Sequence, residues 1–184
     1  MASVWMRLGL FGLLAIGALW VALGQAGAMN AFRDAQFLLA YDQHAASILA
    51  RFGQMPWWDP YSYGGIYALG SPQSHHFSPS VLLVLLFGPM RAHVVFAFLM
   101  SVLGMEGTFR YIRLRSGHDL GAVIAAPVFG LCGFFAASYF MGWMQFFAVQ
   151  ALPWCLVGLN LAARRDARGV ALVAVSITLM LAMG

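Results

Sequence analysis

The sequence contains no lysine, only six acidic residues and two cysteines in 184 positions. Charged residues make up 9% of it, where a soluble domain carries about a quarter. The apolar share is 62% and the mean hydropathy is +0.80. A chain this poor in polar groups cannot cover a water-facing surface, so a soluble globular fold is excluded and lipid is its solvent. The net charge is only +4 and every basic residue is arginine. The basic balance therefore calls for no nucleic-acid partner and is a topology signal instead. Cys132 and Cys155 lie in apolar runs and read as small buried hydrophobes, with no CxxC or Cys/His zinc spacing around them. A glycine-rich nucleotide loop is also missing, as are a GxSxG elbow and a Ser-His-Asp order. Neither an ATP motor nor a serine hydrolase is therefore visible.

What is present is a series of apolar runs. A membrane-crossing helix needs about 20 apolar residues, and residues 8–28 form the first such run. Its Ala26-Gly27-Ala28 end resembles a signal-peptidase site, but the run is longer than a signal-peptide core, which favours a retained helix. Residues 78–88 are apolar yet too short to cross and are stopped by Pro89. They read as a re-entrant or interfacial helix whose ends protein or water must cover. Full spans are expected at 92–112, at 120–140 with a kink at Pro127, and at 146–163, which contains Pro153. A fifth run starts at Gly169 and the sequence ends at Gly184. That suggests the front part of something longer, or a subunit that ends inside a partner. We read residues 1–184 as a single all-α, polytopic transmembrane bundle.

Arg7, Arg110, Arg113, Arg115, Arg164, Arg165 and Arg168 can be placed on one side, leaving Arg33, Arg51 and Arg91 on the other. The positive-inside rule makes the first side cytoplasmic, together with the N-terminus. The chain is then expected in a bacterial inner membrane, with its large first loop, residues 29–91, extracytoplasmic. Within that loop, residues 33–52 have helical spacing. Phe37, Tyr41, His44, Ile48 and Phe52 fall on one face, Ala35, Ala46 and Ala50 lie opposite, and Asn30 suits the N-cap. This predicts an amphipathic helix at the membrane surface. The following "PWWDPYSYGG" is dense in turn formers and predicts ordered irregular backbone. Its tryptophans and tyrosines suit an interfacial belt.

The six acids are few enough to weigh singly. Asp166 sits among arginines and balances charge, and Asp119 suits the cap of the third span. Glu106 lies in a span, where a carboxylate is costly and often functional, but an i,i+4 pair with Arg110 is the cheaper explanation. Asp34, Asp42 and Asp59 share the outer loop. Asp34 and Asp42 are about 12 Å apart along a helix, too far for a shared proton but able to border one cavity. Asp59, in Trp-Asp-Pro, suits an Asx turn. His75 and His76 precede the short apolar run, where they can meet phosphate, a metal or the helix end. Two adjacent histidines without a third ligand are a weak metal signal. No motif requires a cofactor, and a divalent metal stays open. A lone carboxylate acting as general base on a hydroxyl fits an outer-face site, and Arg33 or Arg91 suits a phosphate group.

The loop "RFGQMPWWDPYSYGGIYALGSPQSHHFSPSVLL" resembles the opening of bacterial YfhO-like membrane proteins. The matching pieces are Gly53, Pro56, Trp58, Asp59, Pro60, Gly64, Gly65, Ser71, Pro72, Gln73, Ser74, Phe77 and Pro79. Residues 128–159 are similar to that family's third and fourth spans, and the resemblance runs from about residue 8 to 163. Tyr67 stands where the family often has proline. The resemblance implies a GT-C-like helix bundle that transfers a sugar from a polyprenyl-phosphate carrier to an extracytoplasmic acceptor, with later spans helping to form the donor site. By position it makes Asp34 the catalytic base. Arg33, Asp42, His75, His76 and Arg91 are the substrate-binding candidates, on charge and placement. The expected partners are the bilayer, the lipid-linked sugar, and further membrane subunits or spans. A non-catalytic scaffold or accessory subunit of a larger membrane complex is the alternative; a transporter fits poorly because the spans carry so few charges.

Overall fold

The computed structural model describes residues 3–23, 33–68 and 76–183, except the side chains of 21–23, 33 and 34. Asn30, residues 24–28, the Ser71-Pro72-Gln73-Ser74 stretch and His75 lie outside the described residues. The order of elements is α1 (Val4–Leu23), α2 (Arg33–Phe52), a two-residue ribbon of β1 (Trp58–Asp59) and β2 (Ile66–Tyr67), α3 (Ser80–Phe87), α4 (Pro89–Ser116), α5 (Asp119–Gly130), α6 (Gly133–Met141), a 3₁₀ stretch (Met144–Ala151), α7 (Leu152–Ala163) and α8 (Ala167–Ala182).

Among the described residues three helical stretches are long and apolar enough to cross a membrane: Pro89–Ser116, Asp119–Met141 and Met144–Ala163. They coincide with the three full spans expected after the loop. The first helix begins at Val4, earlier than the apolar run suggests, because Arg7 is drawn into the protein and not left at its edge. The short helix α3 ends at Gly88, whose φ of 76° breaks the backbone, and Pro89 opens α4 instead of merely stopping α3. Proline is at home in a first helical turn, where its missing N–H would have no partner.

α4 is the axis of the fold. At 28 residues it is about 42 Å long, and α1, α3, α5, the 3₁₀ stretch and α7 all pack against it. One apolar cluster joins Phe11 and Ala15 of α1 to Met105 and Phe109 of α4 and to Ala122 and Ala126 of α5. Another joins Phe96 and Met100 of α4 to Phe135 and Tyr139 of α6 and to Phe147 of the 3₁₀ stretch. α4 ends where its C-cap Gly117 adopts φ 73° and returns its N–H to the Arg113 carbonyl. α7 and α8 pair closely because Gly158 and Gly169 face each other; a Cβ at Gly158 would sit 2.9 Å from the Gly169 carbonyl oxygen.

The stretch Asp119–Met141 does not simply kink at Pro127. It breaks after Gly130, at Leu131–Cys132, and restarts as α6. Breaks inside an apolar layer survive only when the freed backbone groups find partners. Here the fully buried Gln150 donates through Nε2 to the Gly130 carbonyl at 2.9 Å. At the far end of α6 the buried His93 ring sits with Nε2 3.2 Å from the Tyr139 carbonyl. Trp154 Nε1 donates to the Leu103 carbonyl at 2.8 Å, tying α7 to α4. Asp119 occupies the first turn of α5 and not its cap, which is His118; its carboxylate instead accepts from Arg113 Nε at 2.9 Å. Asp166, read as a charge balancer, is the N-cap of α8 and accepts from the Arg168 backbone N–H.

Candidate functional site

α2 runs over the span its periodicity predicts, but the packed stripe differs from the expected face. Ala35, Leu38, Tyr41, Asp42, Ala45, Ala46 and Ile48 are buried, while Phe37 and Phe52 are exposed. The small alanines allow α3 to lie close, through Ala45 and Ala46 against Val81 and Val84. The next layer is the loop itself. β1 and β2 pair antiparallel, Trp58 opposite Tyr67 and Asp59 opposite Ile66. The connecting turn takes positive φ at Tyr63, Gly64 and Gly65. Gly65 is required twice over: its φ is 113°, and a Cβ there would run into the Trp58 ring. Trp57 stacks on Phe77 at 4.9 Å, which fastens the ribbon to the approach to α3.

This arrangement puts Asp59 at zero exposure. Its Oδ1 accepts from the Tyr61 backbone N–H at 2.9 Å, which is the Asx turn expected of Trp-Asp-Pro. Its Oδ2 does more. It accepts from Ser62 Oγ at 2.6 Å, lies 3.2 Å from His44 Nδ1 on α2, and is approached by His76 Nε2 at 3.8 Å. Burial by itself pushes this carboxyl up. The hydrogen bonds from Ser62, the Tyr61 backbone and His44 outweigh burial and hold it below its ordinary value of 3.8. Asp59 is therefore held as an anion, and His44 turns Nδ1 towards it. Tyr41 packs edge-on against both histidines, and burial followed by neighbouring negative charge raises its phenol above the usual tyrosine value.

Serine, histidine and aspartate meet here, yet they do not form a hydrolase relay. Ser62 gives its proton to Asp59, and both approach the same ring nitrogen of His44, at 3.4 and 3.2 Å. A relay places serine and carboxylate on opposite ring nitrogens. What the cluster does is hold one side of a cup of about 240 Å³, lined by Phe37, Tyr41, His44, Tyr61, Ser62 and Tyr63. The cup is lined by aromatic rings, with an imidazole and a hydroxyl among them.

Of the residues expected to form a site, the structure brings His76 to the Asp59 cluster and buries Asp42 on α2. Arg91 sits exposed in the first turn of α4, away from the cup lining. Positions 33 and 34 open α2, with position 34 one turn before Phe37, but their side chains and His75 are not described. His44, Tyr61 and Ser62 escaped the sequence reading. The signals available were the 37-41-44 spacing of two aromatics and a histidine on one helix, and a serine three residues after Asp59. Among the described residues no group of three His, Cys, Asp or Glu side chains is placed to hold a metal ion.

The other charged cluster lies at the opposite end of α4. Glu106 does pair with Arg110, Nε to Oε1 at 2.8 Å, but Arg7 of α1 binds it more fully, with Nε and Nη2 each at 2.7 Å. Arg7 also lies 4.1 Å over the Phe109 ring, and Arg110 4.8 Å over Trp154. The i,i+4 pair is thus the exposed half of an ion network whose buried half, Arg7 with Glu106, stitches α1 to α4. No family model, curated protein or solved structure matches the chain.

Proposed function

We propose that this chain works in a membrane glycosyltransferase of the GT-C kind, with the first loop on the extracytoplasmic side and the aromatic cup taking a sugar. The observation that carries the reading is that the loop residues behind the resemblance, Trp58, Asp59, Pro60, Gly64 and Gly65, are the ones that build the ribbon and the buried carboxylate under the cup. A pyranose presents C–H groups on its faces and hydroxyls on its rim. Phe37, Tyr41, Tyr61 and Tyr63 offer electron-rich ring faces for the former, and His44 and Ser62 offer hydrogen bonds for the latter. Asp34 keeps the role of general base, at a helix position one turn from the cup wall. The sugar travels on a polyprenyl-phosphate carrier, and the acceptor is an envelope component with a free hydroxyl.

The test is sugar transfer from a labelled polyprenyl-phosphate sugar in membranes carrying the complete protein. Asp34→Asn is expected to cut transfer by about 100-fold or more, the usual worth of a general base. His44→Gln is expected to raise KM with a smaller change in kcat. Undiminished transfer by Asp34→Asn would remove Asp34 from the chemistry. No transfer by the wild-type protein, with the protein folded and inserted, would leave the scaffold reading in its place.

A further inference from the structure

The largest groove described is not in the loop. It lies between α1, α4 and α7 at the arginine-rich end of α4, has a volume of about 820 Å³, and is independent of the cup. Val4, Val157 and Leu161 line it together with Arg7, Arg110 and Arg113. Arginines set among apolar residues are unlike a site for a soluble anion, which would leave the apolar surface wet.

The charge is informative. Arg7 and Arg110 share a single carboxylate, Glu106, and Arg113 pairs with Asp119. Three guanidinium groups therefore face two carboxylates, leaving one net positive charge beside the groove. Arg110 and Arg113 each use Nε on their carboxylate. A guanidinium carries five N–H donors in a fork that matches phosphate oxygens, so the terminal nitrogens of both keep donors for another acceptor. One phosphodiester neutralises the site, and acyl chains cover its apolar walls. A zwitterionic headgroup would instead bring a second positive charge to a site that is already positive.

We propose that this groove binds one anionic phospholipid, with its phosphate on Arg110 and Arg113 and its chains along α1 and α7. The site would couple the α1–α4–α7 packing to the lipid composition of the leaflet it faces.

The experiment uses the full chain in detergent, with phosphatidylglycerol or phosphatidylcholine added, read by lipid retention in native mass spectrometry and by the unfolding temperature. Wild type is expected to retain phosphatidylglycerol preferentially. Arg113→Gln is expected to reduce that preference about fivefold, the worth of one arginine at an anionic lipid surface, with little change of stability in phosphatidylcholine because its pair with Asp119 is exposed. Asp119→Asn, which removes a competing carboxylate, is expected to strengthen the preference, and Arg51→Gln, exposed and outside the groove, to leave it unchanged. Equal retention of the two lipids by wild type would overturn the proposal. So would equal losses in Arg51→Gln and Arg113→Gln, or full stabilisation by inorganic phosphate alone. Retention of no lipid at all, as when a protein segment already fills the groove, would overturn it too.

Discussion

Replacing Asp59 by alanine tests whether the loop is held by its buried carboxylate. The substitution leaves three donors without their acceptor: Ser62 Oγ, the Tyr61 backbone N–H and His44 Nδ1. Each buried unsatisfied group costs about 1–3 kcal/mol. His44 and Tyr61 are partly exposed, so water replaces their bonds and they are left out of the sum. The remaining buried group, Ser62 Oγ, gives roughly 1–3 kcal/mol against the folded loop, or about 5- to 150-fold in its opening equilibrium. Asp59→Asn keeps an acceptor for Tyr61, and both Ser62 and His44 can reverse their roles towards the amide, so its cost is about 1 kcal/mol. Hydrogen exchange resolved by peptide, in detergent, is the assay. Amides of residues 57–68 should exchange faster in Asp59→Ala, clearly less so in Asp59→Asn, and those of α4 not at all. Wild-type protection of 57–68 in Asp59→Ala would refute the role given to the carboxylate. A uniform acceleration that includes α4 would show that the cluster is no separate unit.

Two further outcomes follow from the same charges. The Asp59 carboxyl is held below its ordinary value of 3.8, so its contribution is complete above that value and is lost as pH falls through the lower folded value. Loop protection should therefore decline on acidification below about pH 4, and Asp59→Asn should flatten that decline; an identical profile in the variant would assign the acid sensitivity elsewhere. Glu106→Gln leaves Arg7 buried without its charged partner, a loss worth about 3–5 kcal/mol, which should appear as a marked fall in unfolding temperature in micelles. A fall no larger than that of an exposed pair such as Arg113→Gln would mean that Arg7 reaches water.

Much of the helical plan was legible because it rests on local, periodic signals. The three long apolar helical stretches after the loop, the helix over 33–52 and the short helix before Pro89 all follow from apolar run length, spacing and proline. What escaped depended on distant partners. The break after Gly130 is stabilised by Gln150, 20 residues on, and no local pattern announces that bond. Arg7 meets Glu106 across 99 positions, whereas the visible i,i+4 partner Arg110 supplied only part of the network. The packed stripe on α2 shares Tyr41 and Ile48 with the expected face but also takes in Ala35, Ala45 and Ala46. Close packing against α3 favours small residues, and the large aromatics were left to line a cup. Asp59 was recognised as a turn former from its neighbours, but its second oxygen is used by His44 and His76, which only the folded loop brings near.

The proposed site in the first loop belongs to the extracytoplasmic face, and cysteine labelling reads that sidedness. Tyr63 is 80% exposed at the lip of the cup, and Arg164 is exposed at the arginine-rich end. Tyr63→Cys and Arg164→Cys, each with Cys132 and Cys155 replaced by alanine, can be treated in intact cells with a membrane-impermeant maleimide. Labelling of Tyr63→Cys in intact cells, with Arg164→Cys labelled only after permeabilisation, is the predicted result. The reverse pattern would place the cup in the cytoplasm and contradict the account.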